Sequence, residues 1–319
     1  MLTGLIIGSI SLATVFTFGC VGEILTEKAG NLNLGIPGIM CSGTAGGLLG
    51  VSVYMASTEN PKWLALVLIA VLFAMVFAAA VGGIYALLTV TLRCNQNITG
   101  LAITTFGTGF TQFFVDNFID RSNLGAASKI ITKSLSFASD LGWFGQVFLS
   151  YGILVYLSIS VAIIAAVVLK KSRVGLHLRS VGESPATADA AGINVNAYKY
   201  GAILIGSSIA GLGGMFYIMD YIGGSWENAS TIEALGWLSV ALVIFSMWRP
   251  SIAIFGSIVF ACFYILAAKL TGISFTDMAL IKLLPYVITI IVLVFTSIFG
   301  SKSVQPPASL GLNYFREER

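Results

Sequence analysis

Nine apolar runs, most of them near or above the roughly 20 residues needed to cross a bilayer, account for most of this chain. They cover residues 2–22, 32–56, 63–92, 98–115, 147–169, 197–221, 234–248, 252–268 and 283–300. A chain that is 57% hydrophobic and 10% charged does not fit a soluble globular class. In hydrocarbon every backbone amide must find its partner within the segment or its bundle, so such runs resolve into helices. The expected fold is an all-α integral membrane protein, a polytopic helical bundle with about nine spans. The run from residue 234 is short and the run from residue 63 is long, which fits one broken helix and one tilted helix. The first run lacks a basic leader and is followed by further spans, so it is expected to remain a span rather than act as a signal peptide. Residues 1–300 would form the membrane domain. Residues 301–319, with Pro306 and Pro307 and no apolar period, are expected to be a flexible tail.

Charge sets the expected orientation. With the N-terminus outside, the inner segments hold Lys28, Arg93, Lys170, Lys171, Arg173, Arg179, Lys199, Arg249, Lys302, Arg316 and Arg319. The outer side keeps only Lys62, Arg121, Lys129, Lys133, Lys269 and Lys282. Eleven cations against six favour this arrangement, since flipping the chain would reverse the bias. The net charge of +3 adds nothing further, and no nucleic-acid partner is expected.

No catalytic constellation emerges. Cys20, Cys41, Cys94 and Cys262 are scattered through apolar sequence with no metal-site or disulfide spacing, so they read as small packing residues. His177 is the single histidine, expected to face solvent or lipid headgroups, and it cannot assemble a serine-centred triad alone. No Gly-Lys pair exists, hence no phosphate-cradling loop. The chain is expected to bind no metal or cofactor, and any ATP must sit on another subunit. Glu23, Asp116, Asp220, Glu233 and Lys282 all fall at predicted span ends, where a charge costs far less than the ~2.5–3.5 kcal/mol of a helix centre. That pattern argues against an ion-coupled carrier, and a membrane enzyme has no residues to support it.

Between two apolar runs lies a hydrophilic insert, residues 170–196, K-K-S-R-V-G-L-H-L-R-S-V-G-E-S-P-A-T-A-D-A-A-G-I-N-V-N. It must lie outside the hydrocarbon, and its cations assign it to the inner side. Ser184 suits a helix cap, Pro185 the first helical position and Gly192 the left-handed residue beyond the end. A helix this short does not hold alone, because nucleation is costly. Ala186, Ala188, Ala190 and Ala191 make it smooth enough to enter a groove on a partner. The same residues fit, equally well, a turn packed on its own bundle. Elsewhere Gly206, Ala210 and Gly214 recur at four-residue spacing, as do Gly43 with Gly47 and Gly46 with Gly50, a pattern of close helix contact. On the outer side, residues 116–142 and 223–233 read as polar connections that suit solvation or, less commonly, the docking of an external protein.

The run G-E-I-L-T-E-K-A-G-N-L-N-L-G-I-P-G-I-M, residues 22–40, is a polar turn feeding a Gly-rich span. Asn31, Asn33 and Gly35 mark it as a broken or re-entrant segment with backbone groups left to pair. It resembles the signature of permease subunits in bacterial ABC importers of the ribose, nucleoside and branched-chain amino acid group. The insert at residues 175–195 is similar to that family's coupling segment. I-G-S-S-I-A-G-L-G-G, residues 205–214, resembles the same family in style, and N-Q-N-I-T-G-L-A-I, residues 95–103, is similar to the shorter nucleoside-type permeases. The resemblance covers most of the chain from Gly22 to Gly214. One departure is Pro37, where the family usually has a glutamate. It removes an inner-facing carboxylate and fits the divergent half of an unequal permease pair.

The resemblance implies a machine. A nucleotide-binding ATPase subunit would grip the short helix through Ser184, Pro185, Ala186, Ala188, Asp189, Ala190 and Gly192, and its closure on ATP would move the bundle as a rigid body. A second permease subunit would complete the pathway, an extracellular solute-binding (lipo)protein would deliver the solute, and membrane lipid would surround the rest. In the fourth run Gly100, Thr104, Thr108 and Gln112 recur every four residues, with Asn97 one turn earlier and Phe106 and Phe110 on other faces. Threonines in membrane helices more often satisfy backbone carbonyls than bind solutes. Read functionally, Asn97, Thr104, Phe106, Thr108, Phe110 and Gln112 line a path for a flat base with a polar sugar, each stacked base gaining about 1–3 kcal/mol. Nucleosides are the expected solute. The alternatives are a sugar, riboflavin or a branched-chain amino acid in the same machinery, or an ion-coupled secondary carrier.

Overall fold

The computed structural model describes residues 2–133, 142–269, 275–299 and 305–315, and every regular element in them is helical. The helices are α1 (Leu2–Lys28), α2 (Ile36–Ser57), α3 (Trp63–Ala86), α4 (Gln96–Phe118), α5 (Leu124–Ile131), α6 (Gly142–Phe148) and α7 (Ile153–Lys171). There follow α8 (Arg173–Glu183), α9 (Pro185–Ala190), α10 (Val195–Phe216), α11 (Ala229–Phe245), α12 (Pro250–Lys269) and α13 (Phe275–Phe299). Both α3 and α10 run on into a single π turn, Leu87–Thr91 and Tyr217–Tyr221.

All nine apolar runs fall on helices, with ends moved by a few residues at most places. Six elements are long and apolar enough to cross a membrane: α1, α2, α3 with its π turn, α4, α7 and α10 with its π turn. The apolar part of α11, and residues 250–266 and 283–295 of α12 and α13, are shorter. Leu64, Leu68 and Leu72 on α3, Ile163 and Ile164 on α7, and Ile290 and Ile291 on α13 are all exposed. Apolar flanks of that extent belong in lipid. The protein is a multi-pass membrane protein.

Helices α2 and α10 form the centre, wrapped by α1, α3, α4 and α11. Lipid tails are as apolar as leucine, so helices associate through close packing and not through exclusion of water. Glycine supplies that closeness here. A Cβ at Gly206 would lie 2.4 Å from the Gly22 carbonyl oxygen, one at Gly43 would lie 2.4 Å from the Gly211 Cα, and one at Gly214 would lie 2.3 Å from the Met40 carbonyl oxygen. Ala210 also touches Gly22. The four-residue stripe therefore lies along the seam of α10 with α1 and α2.

Connections gather the chain's charges at two ends. One end holds the α1–α2, α3–α4 and α7–α10 connections together with residues 305–315, linked by hydrogen bonds to Gly30, Arg93, Gly182 and Asp189. At the other end Ser52 meets Asp120, Asp116 meets Trp226, and Gly224 lies against Leu124. Among the described residues, the segments assigned to the inner side by charge thus share one end, with Lys28, Lys170, Arg179 and Arg249 around one cavity there.

Three expectations need correction. The polar connection read from residue 116 is not wholly solvated over its described part, residues 116–133: it contains α5, packed by Leu124, Ala127 and Ile131 against α10's π turn, α2 and α3. The tail is not free over residues 305–315, which run along the basic end and bond to four separate segments. His177 is half-buried and so only partly open to solvent or headgroups, with its Nδ1 2.8 Å from the Tyr198 hydroxyl.

Candidate functional site

The turn between α1 and α2 is the most heavily tied segment at the basic end. Gly30 takes φ +85°, which reverses the chain after α1. The next residues make no regular structure, yet their backbone groups are claimed by side chains. Leu32 N–H donates to Gln96 Oε1 at 2.7 Å, and the Leu32 carbonyl accepts from Tyr85 Oη at 2.6 Å. Asn33 N–H donates to Glu23 Oε1 at 3.1 Å, and Thr104 Oγ1 donates to the Leu34 carbonyl at 2.8 Å. Irregular backbone at this depth survives only if such partners exist. The break ends at Ile36. Pro37 occupies the second position of α2, where no intrahelical donor is lost, and packs on Gly236 of α11. It starts a helix and does not kink one.

Glu23 lies near the end of α1, as expected, but is not exposed there. It is fully buried, as is nearly all of Glu27 one turn later. Trp248 Nε1 donates to Glu27 Oε2, tying the end of α11 to α1. The signal was available, because two carboxylates four residues apart share one helix face. The partner Trp248 lay far off in sequence and gave no such signal.

Helix α8 starts at Ser172, whose hydroxyl accepts from Gly175 N–H at 2.9 Å. It ends at Ser184, which caps α9 by accepting from Thr187 N–H at 3.4 Å. Gly192, at φ +82°, closes α9: its N–H donates to the Asp189 carbonyl, and Ile193 N–H donates to the Ala188 carbonyl, both at 3.0 Å. These two bonds make a Schellman stop. The alanines divide by face. Ala188 is 3% exposed and packs with Val181 and Val195, whereas Ala186, Ala190 and Ala191 are exposed. So α9 is both packed on its own bundle and smooth on its outer face.

The polar stripe of α4 is turned inward over its middle. Thr104 is buried on the Leu34 carbonyl, and Thr108 Oγ1 returns to the Thr104 carbonyl at 2.9 Å, 3.8 Å from Cys41 Sγ. Gln112 accepts from Ala229 N–H at 2.8 Å and donates to Asp116 Oδ2 at 2.5 Å, joining α4 to the start of α11. Asn97 is exposed at the basic end, and Phe106 is exposed on the outer flank of α4, stacked on the half-buried Phe110. The six residues therefore do not form one wall. Thr104→Val should leave the Leu34 carbonyl unpaired and cost about 1–3 kcal/mol. A fall in melting temperature with unaltered solute preference is the expected result.

A bundle of membrane-length helices carrying a rigid, capped helix at its basic end has the build of a permease subunit. A family model for the permease component of the branched-chain amino acid transport system matches residues 5–293. The chain belongs to that family, and it is a transport subunit rather than an enzyme. It is 31% identical to the nucleoside ABC transporter permease protein NupC of Lactococcus lactis, over 96% of this chain and 95% of that one. It is 28% identical to the guanosine ABC transporter permease protein NupQ of Bacillus subtilis, over 94% and 92% of the two chains. A putative glucose ABC transporter permease, TsgC13 of Haloferax volcanii, is 32% identical over 81% of this chain and 74% of its own. No solved structure matches the chain.

Proposed function

We propose that this chain forms one half of the membrane pathway of an ABC importer for nucleosides. The observation that carries the solute class is the 31% identity to a nucleoside permease along nearly the whole of both chains. The partner half would be a second, unlike permease; the same Lactococcus lactis source also has the nucleoside permease protein NupB, 22% identical over 73% of this chain. ATP binds on a separate ATPase subunit that grips the exposed face of α9. A solute-binding protein delivers from the opposite end. A sugar is the second reading, favoured by the putative glucose permease. Uptake of labelled nucleosides should appear in cells lacking their own nucleoside uptake when all subunits are expressed. Competition by unlabelled nucleosides, and none by glucose, is the expected pattern. Glucose uptake without nucleoside uptake would overturn it.

Nine spans with the N-terminus outside and the basic end in the cytoplasm complete this reading. Ser122 in the exposed α4–α5 turn is an outer probe, with Ala191 beyond α9 as the inner one. In a background without the native cysteines, an impermeant thiol reagent should label Ser122→Cys from outside intact cells and leave Ala191→Cys unlabelled. The reverse result would invert the topology.

Phe106 and Phe110 are the pathway candidates on the accessible side of α4. Phe106→Ala should shift preference among nucleosides through lost stacking, with the amount of assembled protein unchanged. Uptake that only tracks protein level would exclude that role.

A further inference from the structure

Arg93, between α3 and α4, holds a backbone conformation that side chains disfavour, with φ +56°. Such strain persists only where surroundings enforce it, and it concentrates at functional positions. Arg93 is the left-handed residue beyond the π turn, closed by Cys94 N–H on the Leu88 carbonyl at 2.9 Å, and the C-terminal strap holds it from outside. Asn313 Nδ2 donates to the Arg93 carbonyl at 2.6 Å, and the Phe315 ring lies 4.7 Å beneath the Arg93 guanidinium. The strap is itself anchored. Ser309 N–H donates to the Gly182 carbonyl at 3.0 Å, Gly311 N–H to the Gly30 carbonyl at 3.2 Å, and Tyr314 Oη to Asp189 Oδ2 of α9 at 2.7 Å.

Together Arg93, Tyr314, Asp189 and residues 192–196 line a cavity of about 480 Å³. Its wall is continuous with the outer face of α9 through the exposed Gly192. A subunit that grips α9 must therefore cover the mouth of this cavity. Stacking on Phe315 uses the flat face of the guanidinium and leaves its edge donors for a planar acceptor. Among the described residues no side chain or carbonyl accepts from those donors, and no carboxylate pairs with them.

We propose that Arg93, held by the strap in the cavity beside α9, is an anchoring cation for a carboxylate side chain of the ATPase subunit. This rests on the reading of α9 as the element the ATPase grips. The strap's second consequence is mechanical: a pull on α9 through Asp189 reaches the α1–α2 and α3–α4 turns directly, because Tyr314, Asn313 and Gly311 are consecutive or nearly so.

The test is co-purification of the ATPase with the full permease complex across a salt series, with the melting temperature of the permease measured alongside. Arg93→Glu should lower association at least about tenfold at low salt, and Arg93→Lys should fall between it and the unchanged protein. The advantage of the unchanged protein over Arg93→Glu should shrink as salt rises. Equal losses in Arg93→Gln, Arg93→Lys and Arg93→Glu, matched by lowered melting temperatures, would make Arg93 a folding residue and overturn the proposal. Glu317→Gln with Glu318→Gln should leave association intact; a loss equal to that of Arg93→Glu would place the pairing inside this chain and overturn it. Unchanged association in Arg93→Glu, with Arg93-dependent binding to anionic-lipid vesicles, would assign the cation to headgroups instead. Ala190→Trp separates the two readings: if it blocks association while Arg93→Glu does not, only Arg93 is excluded, and if neither blocks it, the coupling role of α9 fails with it.

Discussion

Ala190→Trp should abolish association with the ATPase subunit and, with it, uptake, while the membrane bundle still folds. Ala190 lies on the exposed face of α9, and the added indole would occupy the surface that a partner groove must meet. Ala186→Trp should act in the same way from one turn earlier. Ala188→Trp is a different experiment. Ala188 sits at 3% exposure against Val181 and Val195, so an indole there must push α9 off α8 and α10. Overpacking of this kind costs about 1–3 kcal/mol or more and should appear as lost thermal stability as well as lost uptake. The contrast is what makes the pair informative. ATPase association that survives both Ala186→Trp and Ala190→Trp would remove α9 from the coupling interface.

Gly206→Val should remove nearly all folded protein. Its Cβ would be placed 2.4 Å from the Gly22 carbonyl oxygen and 2.6 Å from Thr26 Oγ1, and Gly22 in turn lies against Gly206 and Ala210. The obstacle is backbone on α1, which has no rotamer to change, so α10 must move away from α1 along the seam. A separation there forfeits the dispersion contacts that hold membrane helices together, at a cost of at least about 3 kcal/mol. Gly201, on the same helix, meets nothing within 4 Å. Gly201→Ala should be neutral or gain up to about 1 kcal/mol from helix propensity. Monodisperse protein recovered in detergent, measured by fluorescence on size exclusion, distinguishes the two. Normal recovery of Gly206→Val would show that the α1–α10 seam tolerates separation.

These outcomes bear on how the machine transmits force. The α1–α2 turn is bonded by α1, α3, α4 and the strap, and the strap is bonded to α9. A displacement of α9 therefore arrives where the central helix α2 begins. On the proposed coupling role of α9, the tight glycine seams behind it would favour movement of the bundle as a body over local repacking.

What the sequence determined by itself was local. Apolar runs placed the helices, since a segment in hydrocarbon has to satisfy its own backbone. Ser184, Pro185 and Gly192 set the start and stop of α9, because capping uses groups within four residues of each other. The stripe Gly206, Ala210, Gly214 was legible because residues four apart share a face. The tertiary structure decided the rest. It turned Ala188 inward and left Ala190 outward, a choice made by Val181 and Val195 and not by α9. It buried Glu23 and Glu27, with Trp248 brought in from 221 residues away. It put Thr104 onto the Leu34 carbonyl and not into an open path. It also seated the tail, whose Asn313 finds Arg93 across 220 residues and whose Tyr314 finds Asp189 across 125. Proline and polar composition describe how a segment behaves alone, whereas a strap is held by acceptors that exist only once the distant turns have been brought to one end of the bundle.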